Sequence, residues 1–293
     1  MTKPFFKWPG SKAWLAGDLA NILPTGLKRV VEPFAGSASF YLGTSYTRAF
    51  LADTNEHVVR CLRTVRDEPE EVLRYLGKLQ NCLADYLVVR DQIPANDAAA
   101  AGRLIFLTNT SWGGLYRENL RGQFNVPFGR NGRSFFCREV LLEASNKLKG
   151  VEVQRLPFSQ TLQVVKKDDL LFVDAPYVTE RNAQYFDRYL ASRFEWSDQV
   201  ALARLLGSKK LRSKKILVTC AADKDLYRLF CDWSILVYRK RNSMTAHTKR
   251  AGYRSEALLV SPALREMSAH FQDLERVILT SYGDMRASPL SAI

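Results

Sequence analysis

Arg29-Val-Val-Glu-Pro-Phe-Ala-Gly-Ser-Ala38 opens the most informative stretch of the chain, and Ala49-Phe-Leu-Ala-Asp53 closes it. Its first four residues read as a short buried strand that runs straight into a turn carrying Gly36. A helix-like segment follows, then a second apolar strand ending in the carboxylate of Asp53. Strand, glycine-bearing turn, helix and acid-terminated strand is the order in which a doubly wound α/β sheet builds a nucleoside site. Small residues after a strand also serve simply to let a helix pack closely, so the turn does not decide the matter by itself.

Working outward, an amphipathic stretch from Lys12 to Leu23 precedes this unit and stops at Pro24. From Asn55 to about Ala101 the pattern is helical, with few glycines and recurring leucines, and glycine, asparagine and arginine then crowd Asn109 to Arg133, the composition of loops or a hairpin. Buried strands resume at Val151 to Arg155, Asp169 to Asp174, Lys215 to Cys220, Ser234 to Tyr238 and Glu256 to Val260. The expected architecture is an α/β sheet domain from residues 1–55 and 145–262, a mostly helical insert over 56–144, and a tail over 263–293. One helix, Met267 to Leu279, is expected in that tail without a role.

The chain has 293 residues, 46% hydrophobic and 25% charged, ordinary globular values that exclude wholesale disorder. Its charge is not ordinary: 43 Lys and Arg against 30 Asp and Glu leave +13. From Gly207 to Arg254 thirteen basic residues face three aspartates, a net +10, and from Gly102 to Arg138 six arginines face one glutamate, a net +5 without any lysine. Such placement points to a polyanion, and arginine's planar fork can pair bidentately with guanine edges or phosphates. The five cysteines, Cys61, Cys82, Cys137, Cys220 and Cys231, form no C-x-x-C pair and read as reduced, mostly buried thiols rather than a disulfide or zinc framework. Three histidines supply histidine-centred chemistry poorly, and no metal is expected. No apolar run approaches the length of a membrane span and the first residues lack a signal-peptide core, so the protein reads as soluble and cytoplasmic.

The chemistry is concentrated in Leu170-Leu-Phe-Val-Asp-Ala-Pro-Tyr177, an apolar strand that discharges into Asp174-Ala175-Pro176-Tyr177. Substrates of α/β proteins bind at the carboxyl ends of such strands. The exocyclic amine of a base is a poor nucleophile because its lone pair is delocalised into the ring. Two acceptors, the Asp174 carboxylate and the Ala175 carbonyl, could take both of its N–H bonds and favour a pyramidal nitrogen. Pro176 keeps Ala175 out of the α region so that its carbonyl projects, and Tyr177 offers a face for an extruded base. Alone, such a tetrad could equally be a turn with a capping aspartate.

Taken in order, Phe6-Lys-Trp-Pro-Gly-Ser-Lys12, Val31-Glu-Pro-Phe-Ala-Gly-Ser-Ala38, Leu51-Ala-Asp53, Asn119-Leu-Arg-Gly-Gln-Phe-Asn-Val-Pro-Phe-Gly-Arg130 and Asp174-Ala-Pro-Tyr177 resemble the motifs of the Dam-type DNA adenine methyltransferases. The resemblance runs from about Phe5 to Val260. It implies a Rossmann-like methyltransferase sheet with helices on both faces, a helical target-recognition insert, and transfer of the methyl group of S-adenosylmethionine to the exocyclic amine of adenine in double-stranded DNA after base flipping. It further implies that Trp8, Lys12, Phe34, Gly36, Asp53, Phe158 and Asp174 line the cofactor pocket, with Asp53 accepting from the ribose hydroxyls. Asp174, Ala175, Pro176 and Tyr177 would serve the target amine and base. Trp112, Leu115, Arg117, Asn125, Pro127 and Arg130 would meet the bases or the adjoining backbone, while Arg239, Arg241, Lys249 and Arg250 would grip phosphates. The expected form is a monomer in solution, with room for more than one copy on DNA.

Four positions depart from the family's pattern. Ser11 and Ala38 stand where it has glycines, Ala175 where it has the first proline of Asp-Pro-Pro-Tyr, and Trp112-Gly113 where GATC readers have a tyrosine-asparagine pair. Ala175 keeps the carbonyl but loosens the backbone that aims it, Ala38 adds a methyl to the cofactor turn, and Gly113 cannot wedge into a duplex, so a relaxed or altered target is expected. Two alternatives stay open on sequence: a DNA-binding member weakened in catalysis, and a methyltransferase of RNA or of a protein amide.

Overall fold

The computed structural model describes residues 1–19, 23–24, 26–129, 134–178, 194–241 and 253–266. The chain is a mixed α/β protein, and the seven strands among the described residues fall into two compact units. One unit takes in Met1–Ala20 and Arg29–Thr161, and the other Asn21–Lys28, Leu162–Asp187 and Phe194–Ile293, with 188–193 assigned to the first.

In the first unit, β1 (Arg29–Glu32), β2 (Ala49–Asp53) and β3 (Glu152–Arg155) make a parallel sheet with β2 in the middle. All four residues of β1 are buried, as expected of a strand covered on both faces. Before β1 lies α1 (Ala13–Leu19), which packs on α2 (Ser39–Gly43), the helix that follows the Gly36 turn. Four helices lie between β2 and the loop that begins at Ser111: α3 (Glu56–Asp67), α4 (Pro69–Leu76), α5 (Leu83–Asp91) and α6 (Asp97–Thr110). Asn55 starts α3 by accepting from the His57 and Val58 amides, and Asn96 starts α6 by accepting from that of Ala99; both leave fewer orphan amides in the first turn. The buried stripe Val58, Cys61, Leu62 and Val65 turns α3 onto α6, and α7 (Arg138–Leu148) packs beside α3 before the chain enters β3. α8 (Phe158–Thr161) follows it.

In the second unit β4 (Asp169–Val173) and β5 (Lys215–Ala221) run parallel, with α9 (Trp196–Leu206) between them in sequence. α10 (Lys224–Arg228) then leads to β6 (Ser234–Arg241), and β7 (Tyr253–Val260) lies between β5 and β6, antiparallel to both. α11 (Pro262–Arg265) closes the described part of this unit.

Every strand read from the sequence is present, but the one expected to be buried from Val151 to Arg155 is mostly exposed: β3 buries Val153 and exposes Glu152, Gln154 and Arg155. The last two are longer than expected: β6 continues from Tyr238 to Arg241 and β7 begins at Tyr253, because their antiparallel ladder carries the pairing past the point where apolar side chains end. Asn109 to Arg133 holds, among its described residues, a 3₁₀ turn at Trp112–Gly114 and isolated bridges between Ser111 and Phe128 and between Glu118 and Phe124. The expected tail helix, Met267 to Leu279, lies outside the described residues. The cysteines are not mostly buried: Cys61 and Cys220 are, Cys82 is intermediate, and Cys137 and Cys231 are exposed on helix-flanking turns. No helix among the described residues is long and apolar enough to cross a membrane, and no three His, Cys, Asp or Glu side chains there are grouped to hold a metal.

Candidate active site

The first unit gathers most of the residues expected around a cofactor. Asp53 ends β2, and its carboxylate reaches back to the turn after β1: Oδ2 accepts from the Gly36 amide at 2.9 Å and Oδ1 from the Asn55 amide at 2.9 Å. Burial pushes the Asp53 carboxyl above its ordinary value, while the amides of Asn55, Gly36 and Thr54 hold it down. Gly36 sits at φ +48°, and a Cβ there would lie 2.6 Å from Cδ1 of Trp8, so glycine is required both by conformation and by the indole packed on it. Phe34 and Phe158 stack with ring centroids 5.6 Å apart and planes 26° from parallel, both half-buried. Lys12 is only 2% exposed; its amide donates to Ser39 Oγ and its ammonium to the Gly10 carbonyl at 2.6 Å. An acid at a strand end, a half-open aromatic pair and a buried ammonium suit a nucleoside bearing a charged tail.

The tetrad lies in the second unit, immediately after β4. The register pairs Val173 with Val218, so the next step along both strands brings Asp174 beside Thr219, whose hydroxyl donates to Asp174 Oδ1. Ala175 is buried and Pro176 exposed. The Tyr177 hydroxyl donates to Glu256 Oε2 at 3.3 Å, and Tyr238, directly opposite Glu256 in the ladder, donates to the same oxygen at 3.1 Å. Both phenols are pushed far above their ordinary range, first by burial and then by the neighbouring carboxylates.

The loop after α6, expected to meet DNA, belongs to the first unit. Trp112, 44% exposed, donates its amide to the Pro127 carbonyl, and Arg117 donates Nε to Asn125 Oδ1 at 2.8 Å and Nη2 to the Asn125 carbonyl. Trp112 with Pro127 and Arg117 with Asn125 are thus two joined pairs across one loop. Leu115 closes the 3₁₀ turn through its amide. Arg239 and Arg241 pair in register with Ser255 and Tyr253; Arg130, Lys249 and Arg250 lie outside the described residues.

The profile of the D12 class N6 adenine-specific DNA methyltransferases matches residues 8–244. The chain belongs to that family. It is 29% identical over 272 residues to the DNA adenine methylase of Vibrio cholerae serotype O1, covering 91% of this chain and 90% of the relative. It is 27% identical over 249 residues to the type II methyltransferase M.MjaIII of Methanocaldococcus jannaschii, covering 77% and 86%. With the DNA adenine methylase of Escherichia coli strain K12 it shares 27% over 223 residues, covering 74% and 80%.

Against the D12 methyltransferase pattern, the two replaced glycines behave differently. Ala38 stands at φ 50°, ψ 30°, the one non-glycine residue with positive φ among those described, and caps α2 in a left-handed conformation. That geometry costs an L-residue about 1–2 kcal/mol. Ser11 carries no positive φ, and its amide simply donates to the Trp8 carbonyl, so serine is accommodated without strain. Gly113 sits at φ +64°, in the left-handed region that asparagine also tolerates.

Several residues of this D12 methyltransferase escaped the sequence reading. Thr219 and Glu256 meet the tetrad, and Tyr238 meets Glu256, only through strand register, and Tyr116 packs 5.2 Å from Trp8, ring to ring. The Tyr116 hydroxyl donates to Glu118, whose Oε1 lies 3.3 Å from His57 Nε2. None stands in a motif; only aligning β5 against β4 would have pointed to Thr219.

Proposed function

We propose that this adenine-specific DNA methyltransferase takes the methyl group of S-adenosylmethionine to the exocyclic amine of adenine in double-stranded DNA, after flipping the base, at a GATC-like target read with relaxed specificity. The observation that carries the reading is the strand-end pair Asp174 and Tyr177, a carboxylate and an aromatic face both tied down by buried partners. Asp53, Phe34, Phe158, Gly36, Trp8 and Lys12 fit the cofactor: carboxylate for ribose hydroxyls, rings for adenine, and a turn that admits a close backbone approach. When bound, S-adenosylmethionine supplies a methyl already activated on sulfonium, so alignment of the amine matters more than a strong base.

Asp174 accepts one amine N–H and the Ala175 carbonyl the other, which raises the nitrogen's nucleophilicity; Asp174 then holds the proton that the amine sheds, on its way to solvent. Tyr177 stacks on the base and offsets part of the cost of unstacking it from the duplex. Residues 56–144 act as the target-recognition insert, with Arg117 as a base or phosphate donor already oriented by Asn125. Mapping methylated adenines at single-molecule resolution in DNA from expressing cells tests the reading. Modified adenine beyond GATC, abolished by Asp174→Ala, is expected; modification confined to GATC overturns the relaxed target, and none above the Asp174→Ala background overturns the activity.

A further inference from the structure

We infer that Thr219 and Glu256, with Tyr238 behind Glu256, are positioning residues for methyl transfer, an inference that rests on the function proposed for Asp174 and Tyr177. The ladder itself selects them. On β5, Thr219 and Ala221 share a face because side chains alternate along a strand. Ala221 stands opposite Glu256 on β7, and Glu256 opposite Tyr238 on β6, so Thr219, Glu256 and Tyr238 point to one face of this sheet. It is the face that Asp174 and Tyr177 reach after leaving β4.

Burial makes the arrangement expensive unless it serves something. Thr219 and Tyr238 are each 1% exposed and Glu256 is 7% exposed, on a strand whose next four residues, Ala257 to Val260, are all buried and apolar. A carboxylate taken out of water costs several kcal/mol, and an apolar side chain of similar volume would usually give equal or better stability. What the polar side chains add is direction. A buried carboxylate accepting two phenol hydroxyls holds the Tyr177 ring in one plane, and the Thr219 hydroxyl fixes the torsion of the Asp174 carboxylate. Thr219 therefore orients the group that receives the amine, and Glu256 the ring that receives the base. The reaction is an in-line displacement governed by alignment, so loss of that orientation acts on rate rather than on cofactor affinity.

The test uses the full chain. Thr219→Val removes the hydroxyl at constant shape, Thr219→Ser restores it, Glu256→Gln keeps an acceptor for the phenols and Glu256→Leu removes it. Single-turnover methyl transfer to an adenine-containing duplex is measured with S-adenosylmethionine affinity by calorimetry, melting temperature, and the fluorescence of 2-aminopurine at the target position. Thr219→Val is expected to lose about 10²-fold in single-turnover rate with cofactor affinity within about twofold, and Thr219→Ser to recover most of it. Glu256→Leu is expected to raise 2-aminopurine fluorescence above the wild-type complex, as the base loses its stacking partner, and Glu256→Gln to leave it near wild type. A Thr219→Val rate within twofold of wild type, or a rate loss matched by an equal loss of cofactor affinity, overturns the inference. An unchanged fluorescence in Glu256→Leu overturns the part assigned to Glu256. Wild-type protein that transfers no methyl to any adenine duplex overturns the proposed function along with it.

Discussion

Two aspartates end two strands of this molecule, and they are held in different ways. Asp53 is fixed by main-chain amides of Gly36 and Asn55, neighbours in the same strand–turn–helix–strand unit. Asp174 is fixed by a side-chain hydroxyl on the next strand, forty-five residues away, and its companion Tyr177 by a glutamate seventy-nine residues away. Amides are present whatever the side chains, so the Asp53 turn depends on backbone conformation, chiefly at Gly36 and Ala38. The Asp174 cluster depends on the identity of Thr219, Glu256 and Tyr238. A binding turn built on amides tolerates drift in its flanking side chains, whereas a cluster built on hydroxyls and carboxylates is lost one substitution at a time.

The contrast can be broken from either side. The largest effect is expected from Asp174→Ala, which should cut methyl transfer at least about 10²–10³-fold, as when a preorganised polar contact to a reacting group is removed, while leaving S-adenosylmethionine affinity nearly intact; tritium transfer and calorimetry would check this. Asp53→Ala should do the reverse. It leaves the part-buried amides of Gly36 and Asn55 without their acceptor, at about 1 kcal/mol or more each, and should lower both melting temperature and cofactor affinity before it changes the rate at saturating cofactor. A loss of rate alone would show that the two aspartates do not divide the work as proposed.

Arg117 extends the comparison to the recognition loop, since its orientation, like that of Asp174, is set by a side chain, here Asn125. Arg117→Ala should weaken binding to the target duplex by about 1–3 kcal/mol relative to a scrambled duplex, read by fluorescence anisotropy; equal weakening on both sequences would assign Arg117 to the phosphates instead. The smallest effect is expected at Ala38. Glycine there relieves a left-handed cost of about 1–2 kcal/mol and gives back about 0.5–1 kcal/mol through its freer unfolded chain, so Ala38→Gly should raise the melting temperature by about 1–4 °C. A fall would mean that the buried Ala38 methyl contributes more through packing than it costs in conformation.

Much of this was legible before any coordinates. Apolar residues marked all seven strands, but burial on both faces accounts only for some of them: in β3 only Val153 is buried, and β6 is half-buried from Ser234 to Val237. Asp53 and Asp174 stood out because each ends such a run, and the spaced motifs carried the family. The ends of β6 and β7 were misjudged because pairing, not hydrophobicity, extends them through Arg239 to Arg241 and Tyr253 to Ser255. Ser11 and Ala38 looked like equivalent replacements of glycine, yet only Ala38 occupies a positive φ, a property of the folded backbone that residue type does not disclose.

The alternation of strands and helices, the two strand-end acids, the arginine-rich loop and the family to which they belong are all written in the order of the residues. These follow from local composition and spacing, which short-range sterics and burial translate directly into structure. Which groups hold those acids in place follows only from the folded chain. Register between strands far apart in the chain brings Thr219 to Asp174 and Glu256 to Tyr177, and a one-residue slip would have turned each of them to the opposite face.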